Sequence, residues 1–248
     1  MSKVIFEQEL VTIPANWQAP KNIAAFTTTR SGGFSHNKNY SSLNLAMHAH
    51  DDKHAVELNR KKLNQYIGHN VKWLKQKHTN TVLQAESDNF NMDADAVFTH
   101  NPGKVCAVLT ADCVPILLTD TQGSFVAAIH AGWKGLATNI IQNTIKKIRS
   151  DNIIAWIGPC ICYKCYNTGP EVQEIFCALQ PKLHSCFSVK NNQIYTDLNA
   201  ISEALLRLEG VRHISSANLC TKNHNNNLFS ARRDGINSGR IASCIWIK

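Results

Sequence analysis

In the stretch TADCVPILLTDTQGSFVAAIHAGWKG two reactive side chains stand at the ends of short apolar runs: Cys113, preceded by Asp112, and His130, followed by Ala-Gly-Trp133. Placed where strands end and the backbone turns, a cysteine and a histidine admit three readings. A thiolate activated by an imidazole is a nucleophile. The same two groups are ligands for a borderline metal ion. Otherwise both are buried, hydrogen-bonded residues without chemistry. A third ligand upstream raises the metal reading: His78 in KQKHTN, beside the β-like run TVLQA. Two imidazoles and one thiolate make a three-ligand zinc site with a fourth position open to water or substrate, whereas structural zinc normally has four protein ligands. Asp112 is a candidate for positioning a proton or the ligand loop, with capping of the following turn as its simpler role.

Other segments could support such a centre. DADA at 93–96 reads as a turn and strand start, from which Asp93 or Asp95 could orient a ligand histidine. TTTRSGGFSHNKNYSSLNLA sets Arg30 before a Gly-Gly turn and a run of hydroxyl and amide side chains, a composition suited to gripping a polar ligand. LFSARRDGINSGR clusters Arg232, Arg233, Asp234 and Arg240 around two glycines. The planar guanidinium fork suits phosphate or carboxylate, and a basic turn tied internally by Asp234 is the alternative. Cys160, Cys162 and Cys165 in GPCICYKCYNTG are three close thiols without a partner motif, and read more simply as a Gly-Pro turn followed by incidental cysteines.

The elements that must hold these residues alternate. DDKHAVELNRKKLNQYIG has aspartates to cap a helix, Val56, Leu63 and Ile67 on one side, and Gly68 to end it. GPEVQEIFCALQP places Val172, Ile175, Phe176 and Leu179 at helical spacing, TDLNAISEALLRLEG does so with Ile201, Leu205 and Leu208, and LATNIIQNTIKKIRS with Ile141, Ile145 and Ile148. VCAVL, VPILL, FVAAI, IIAWI and IASCIWI read as strands that need covering on both faces. The expectation is a single α/β layered domain over residues 1–248, with NHNNN at 223–227 as a surface loop.

Composition narrows the function classes. The 248 residues suffice for one sizeable core, and no apolar run approaches the roughly 20 residues that span a bilayer. Nine cysteines without a secretion signal argue for reduced thiols and a cytoplasmic protein. The net charge of +8 is spread without an aromatic-rich basic module, which argues against nucleic acid and fits attraction of small anions to a cleft. Monomer is the default oligomeric state.

Taken in order, TTTRSGGFS…YSSLNLA, QKHTN, DADA, TADCVPILL, AAIHAGWKGL, IGPCI and FSARRDGINSGR resemble the YfiH or laccase-domain proteins over nearly the whole chain. That family is described both as purine nucleoside phosphorylase and as multicopper polyphenol oxidase. The resemblance implies an α/β/β/α sandwich and zinc held by His78, Cys113 and His130. It implies phosphorolysis of adenosine, inosine, guanosine or methylthioadenosine to free base and (methylthio)ribose 1-phosphate, with adenosine deaminase activity at the same site. Arg30, Lys134, Arg232 and Arg233 are the candidates for binding nucleoside and phosphate. The chain departs from the family pattern at Lys134, where arginine is usual, at Thr79 in place of glycine, at Ala231 in place of tyrosine, and in CYNTG, which lacks a usual carboxylate. None of these touches the three ligand positions.

Three alternatives stand beside this expectation. Copper could occupy the same ligands, but polyphenol oxidation by several coppers needs more clustered histidines than this chain has. A cysteine hydrolase acting on a peptidoglycan precursor would use Cys113 as nucleophile and His130 as base. A binding protein with structural zinc is opposed by the open fourth position.

Overall fold

The computed structural model describes residues 9–88, 90–223 and 227–248. Residues 224–226 of the expected surface loop lie outside the described residues. In chain order the strands are β1 (Thr12–Pro14), β2 (Ile23–Thr28), β3 (Val82–Gln84), β4 (Ala96–Thr99), β5 (Val105–Thr110), β6 (Val114–Asp120), β7 (Val126–Ala131), β8 (Ile153–Ile157), β9 (Asn167–Thr168), β10 (Phe187–Lys190), β11 (Gln193–Thr196), β12 (His213–Ser216) and β13 (Ile241–Ile247). The helices are α1 (Lys53–Ile67), α2 (Trp133–Ala137), α3 (Ile140–Ile148), α4 (Pro170–Leu179), α5 (Leu198–Leu208) and α6 (Ala231–Asp234).

The apolar strands sort their side chains by alternation, and that sorting builds the layers. In β6, Val114, Ile116 and Leu118 join Ile140, Ile141, Phe176, Ile201 and Leu206 from the helices, while Leu117 turns to the opposite face. There it meets Cys106 and Val108 of β5, Ile245 and Ile247 of β13, and Trp156 of β8 in a core between two sheets. The other face of β5 and β13 presents Ala107, Leu109, Ala242 and Cys244 to Leu63 and Ile67 of α1. One sheet is mixed and six-stranded, β12-β8-β6-β7-β4-β3, and the other is antiparallel and four-stranded, β1-β2-β13-β5. With α1 outside the smaller sheet and α2 to α5 outside the larger, the layers form the expected α/β/β/α sandwich. A third, three-stranded sheet, β10-β11-β9, has no apolar run to announce it.

Helix ends follow local chemistry. The Asp52 side chain accepts the His54 N–H at 3.1 Å to cap α1, and Gly68 ends it at φ 81°, where a side chain would be strained. One expected helix and two expected helix faces need correction. The expected helix is divided: α2 starts at Trp133 within HAGWKG, Asn139 at φ 69° breaks the ladder, and α3 carries the expected Ile141 and Ile148 stripe. In α4 the buried face is Val172 and Phe176, with Ile175 and Leu179 exposed at one edge. In α5 it is Leu198, Ile201 and Leu206, with Leu208 exposed.

Candidate active site

Two adjacent strands bring the reactive pair together. β6 and β7 are antiparallel, with Val114 opposite Ala131 and Pro115 opposite His130, so Cys113 comes level with Gly132 at the same sheet edge. His78 enters from the loop before β3. The ligand atoms of His78, Cys113 and His130 all lie within 4.8 Å of one another. Cys113 Sγ is 3.7 Å from His78 Nε2, and the two imidazole rings cross edge to face at 4.7 Å. Gly132 makes room for this convergence: a Cβ there would sit 2.6 Å from His78 Cδ2 and 3.2 Å from Cys113 Sγ.

Asp95, at the start of β4, organises two of the three ligands and is fully buried. Its Oδ1 accepts His130 Nδ1–H at 2.7 Å and the His78 backbone N–H at 3.0 Å. Its Oδ2 accepts the backbone N–H groups of Lys77 at 3.2 Å and Thr79 at 2.6 Å, and the Thr79 hydroxyl at 2.8 Å. Burial opposes the charge, but these donors hold the carboxyl down at about 2. His78 needs this support because its φ is 60°, a left-handed conformation costing on the order of 1 kcal/mol. Of the two expected orienting aspartates, Asp95 is the one that bonds a candidate ligand histidine, while Asp93 forms an exposed ion pair with Lys75 at 3.1 Å.

Asp112 is likewise left-handed, at φ 93°. Its Oδ1 accepts the Thr221 hydroxyl at 2.6 Å and its Oδ2 accepts the Arg232 N–H at 2.6 Å. Both carboxylate oxygens therefore tie the Cys113 turn to the segments at 221 and 232, with the Arg232 bond also capping α6. The positioning role fits this geometry.

The electrostatics pair a thiolate with an imidazolium, which a metal ion binding at this point would have to deprotonate. Burial raises the Cys113 thiol, but His130 and then His78 bring it down to about 6. Burial lowers the His130 imidazole, but Cys113 and Asp95 raise it to about 9. With His130 Nδ1 tied to Asp95, Nε2 is the atom left for a ligand. Zinc–sulfur bonds of about 2.3 Å and zinc–nitrogen bonds of about 2.0–2.1 Å hold tetrahedral sulfur and nitrogen roughly 3.6 Å apart, close to the 3.7 Å between Cys113 and His78. The residues fit a borderline cation, and the exposure of His78 leaves one side open.

The basic residues divide. All five Arg233 donors are used inside the protein, by Thr221 O, Lys222 O, Leu228 O and both oxygens of Asp234. Arg30 stacks on Phe229 at 4.8 Å and donates to Ser41 O and Lys38 O, both at 2.7 Å, on the wall of a cavity of about 520 Å³. Arg232 lies 5.0 Å over the Tyr166 ring and donates to Asn167 Oδ1 at 2.7 Å. Tyr166 is pushed up to about 12 by burial and then by the charge of Cys113, and the Arg232 backbone is tied to the Cys113 turn through Asp112. Lys134 is exposed on α2, with Nζ 5.7 Å over Trp133. Tyr166 and Thr221 were not expected from the sequence. Tyr166 sits in the thiol segment, and Thr221 reaches Asp112 across 109 residues.

The family model described as multi-copper polyphenol oxidoreductase laccase matches residues 24–248. The chain belongs to this laccase-like YfiH family. Among its relatives, a protein named purine nucleoside phosphorylase from Haemophilus influenzae is 40% identical over 243 residues, covering 95% of this chain and 99% of that one. Purine nucleoside phosphorylase YfiH of Escherichia coli is 37% identical, with 100% of both chains covered. A protein named adenosine deaminase RL5, from an unknown prokaryotic organism, is 33% identical and covers 92% of this chain and 95% of that one. The crystal structure of Neisseria meningitidis protein NMB0706 superposes with a TM-score of 0.92 at 38% identity, covering 97% of this chain and 100% of that one. Among the described residues of this YfiH-family chain, no helix is long and apolar enough to cross a membrane.

Proposed function

We propose that this protein is a zinc-dependent purine nucleoside enzyme that cleaves adenosine, inosine, guanosine or methylthioadenosine with phosphate and also deaminates adenosine. The observation that carries this reading is the convergence of His78, Cys113 and His130 at ligand spacing, with Asp95 fixing the His130 tautomer. The names of the relatives support the substrate class. When bound, zinc supplies Lewis acidity at an open coordination position. In phosphorolysis a phosphate oxygen bonds to ribose C1′ as the C1′–N9 bond breaks, and the purine leaves with a proton. This chain's part is to place two anionic or electron-rich partners side by side. Arg232 and Lys134 hold phosphate, with Arg30 at the nucleoside side, and the half-buried Tyr166 ring gives the base an apolar wall. Arg233 acts through the loop it ties together. The protein works as a monomer in the cytoplasm.

Product chromatography tests the reading. Adenosine with phosphate yields adenine and ribose 1-phosphate, and adenosine without phosphate yields only inosine. Adenine release that ignores phosphate contradicts the phosphorylase assignment.

The Cys113–His130 pair also favours one second reading, a cysteine hydrolase acting on a peptidoglycan precursor. A free thiolate alkylates quickly with iodoacetamide, whereas a metal-held one is protected until a chelator is added. Fast alkylation before chelation would support the hydrolase.

A further inference from the structure

Away from the His/Cys/His centre, the sulfurs of Cys162, Cys165 and Cys220 also lie within 4.8 Å of one another. Cys162 and Cys165 bracket one 3-10 turn, and the Cys165 N–H donates to Cys162 O at 3.0 Å. A Cys-x-x-Cys turn sets two sulfurs on one side at a spacing common among zinc ligands. The partner missing from the local sequence comes from 58 residues downstream. Cys160 and Cys220 form a parallel bridge, with the Cys160 N–H donating to Leu219 O at 3.2 Å and the Thr221 N–H to Cys160 O at 3.0 Å. Cys160 thus builds the backbone of the cluster and Cys220 supplies the third sulfur, which corrects the sequence grouping of Cys160 with Cys162 and Cys165. The Cys162 N–H points at Cys220 Sγ at 3.4 Å. Burial and the neighbouring Cys220 push the Cys162 thiol up to about 12, while burial of the Cys220 thiol is outweighed by the N–H groups of Cys162, Asn223 and Lys222, which bring it below its ordinary value.

We propose that Cys162, Cys165 and Cys220 form a second metal site, for a thiophilic cation, zinc(II) or copper(I). Binding breaks three S–H bonds, releases three protons to solvent and forms three sulfur–metal bonds, with no change of oxidation state. A cavity of about 520 Å³ lined by Cys162, Cys220, Asp197 and Glu203 leaves room for a fourth ligand. The site is a clasp for the catalytic turn. It joins the segment whose Ile161 N–H donates to Asp112 O at 2.9 Å to the segment whose Thr221 hydroxyl holds the Asp112 carboxylate. Tyr166 follows Cys165 directly, so the clasp also fixes the ring over which Arg232 lies.

The test uses Cys113→Ala to remove a ligand of the first centre, in full-length protein reduced with a phosphine and stripped by chelator. Cobalt(II) is the probe. A sulfur-to-cobalt charge-transfer band that saturates at one equivalent, and is lost when Cys162→Ser or Cys220→Ser is added, is the expected result. Zinc(II) and copper(I), titrated against the cobalt protein in separate arms, identify the preferred ion by displacement. X-ray absorption of the zinc-loaded Cys113→Ala protein should show three sulfur neighbours, a readout that does not depend on the serine variants folding. Absence of the band, its survival in Cys220→Ser, or a shell dominated by nitrogen overturns the site. A Cys162–Cys220 or Cys162–Cys165 disulfide in fresh protein, with no cobalt uptake after reduction, overturns it in favour of a redox pair.

Discussion

Asp95→Asn isolates the role of one carboxylate in holding a metal ligand without touching the ligand itself. Five donors converge on the two oxygens of Asp95, two on Oδ1 and three on Oδ2. An asparagine must replace one oxygen by an NH₂ group. Turned toward the Oδ2 side, that group meets the N–H donors of Lys77 and Thr79, which cannot reverse. Turned toward the Oδ1 side, it meets the His78 N–H and forces His130 to present a bare Nδ1, which puts the proton on Nε2, the ligand atom. Either orientation leaves buried N–H groups unpaired at about 1–3 kcal/mol each. We expect a stability loss of about 3 kcal/mol, which lowers Tm by roughly 6–12 °C for a chain of this size. Loss of an outer partner of this kind weakens metal binding by about 10–100-fold, equivalent to about 1.4–2.7 kcal/mol. The assay is zinc competition against a chromogenic chelator, with a thermal melt of the stripped protein alongside. Affinity within twofold of the parent would refute the claim that Asp95 orients His130.

Further outcomes follow from the same geometry. Gly132→Ala drives a methyl group into His78 and Cys113, so zinc affinity and activity should fall by at least an order of magnitude, as read by metal analysis. Far-ultraviolet circular dichroism should remain that of the parent. Arg232→Ala should raise the KM for phosphate by about 10–100-fold, the value of one charge-assisted contact, whereas Arg233→Ala should lower Tm; steady-state kinetics and melts separate the two. Asp112→Ala leaves the Thr221 hydroxyl and Arg232 N–H without acceptors and should lower both Tm and kcat, and full activity in that variant would reduce Asp112 to a simple cap. Asp120 lies far from the centre and accepts from Gln122 N–H at 3.1 Å, Ser124 N–H at 2.9 Å and the Ser150 hydroxyl at 2.7 Å. Burial raises its pKa, but these donors hold it below the ordinary value. A lowered folded pKa contributes stability that is present above about 3.9 and lost as pH falls through the folded value. Asp120→Asn should therefore destabilise by about 2 kcal/mol at neutral pH, with the difference from the parent shrinking in acid melts.

What the sequence disclosed followed from what is local. The five apolar strand runs are legible because burial on both faces leaves no polar positions, and they form β5 to β8 and β13. The half-buried strands β10, β11 and β12 carry no such run, and β2 hides where its TT end merges with the polar loop after it. Helix existence was readable from caps and periodicity, but the buried faces of α4 and α5 are set by the core they share with β6. Cys113 and His130 could be found because strand ends next to Asp or Gly mark positions that open into clefts, and His78 because it is a third ligand type adjoining the β-like run TVLQA. Asp95 was visible as one of two candidates, and only the packing of β4 on β7 chooses it over Asp93. Cys220, Thr221 and Tyr166 meet the site across large sequence separations and leave no periodic or motif signal. Arg233 shows the converse: a guanidinium that reads as a phosphate ligand has every donor engaged by its own loop.

The function proposed for this protein turns on a metal ion held by His78, Cys113 and His130. Anomalous diffraction at the zinc edge, from crystals of protein purified without added metal, tests it most directly. The account predicts a peak between the three side chains, about 2.3 Å from sulfur and about 2.0–2.1 Å from each nitrogen, that disappears in His130→Ala. No peak there in the parent protein, with Cys113 free and readily alkylated, would contradict it.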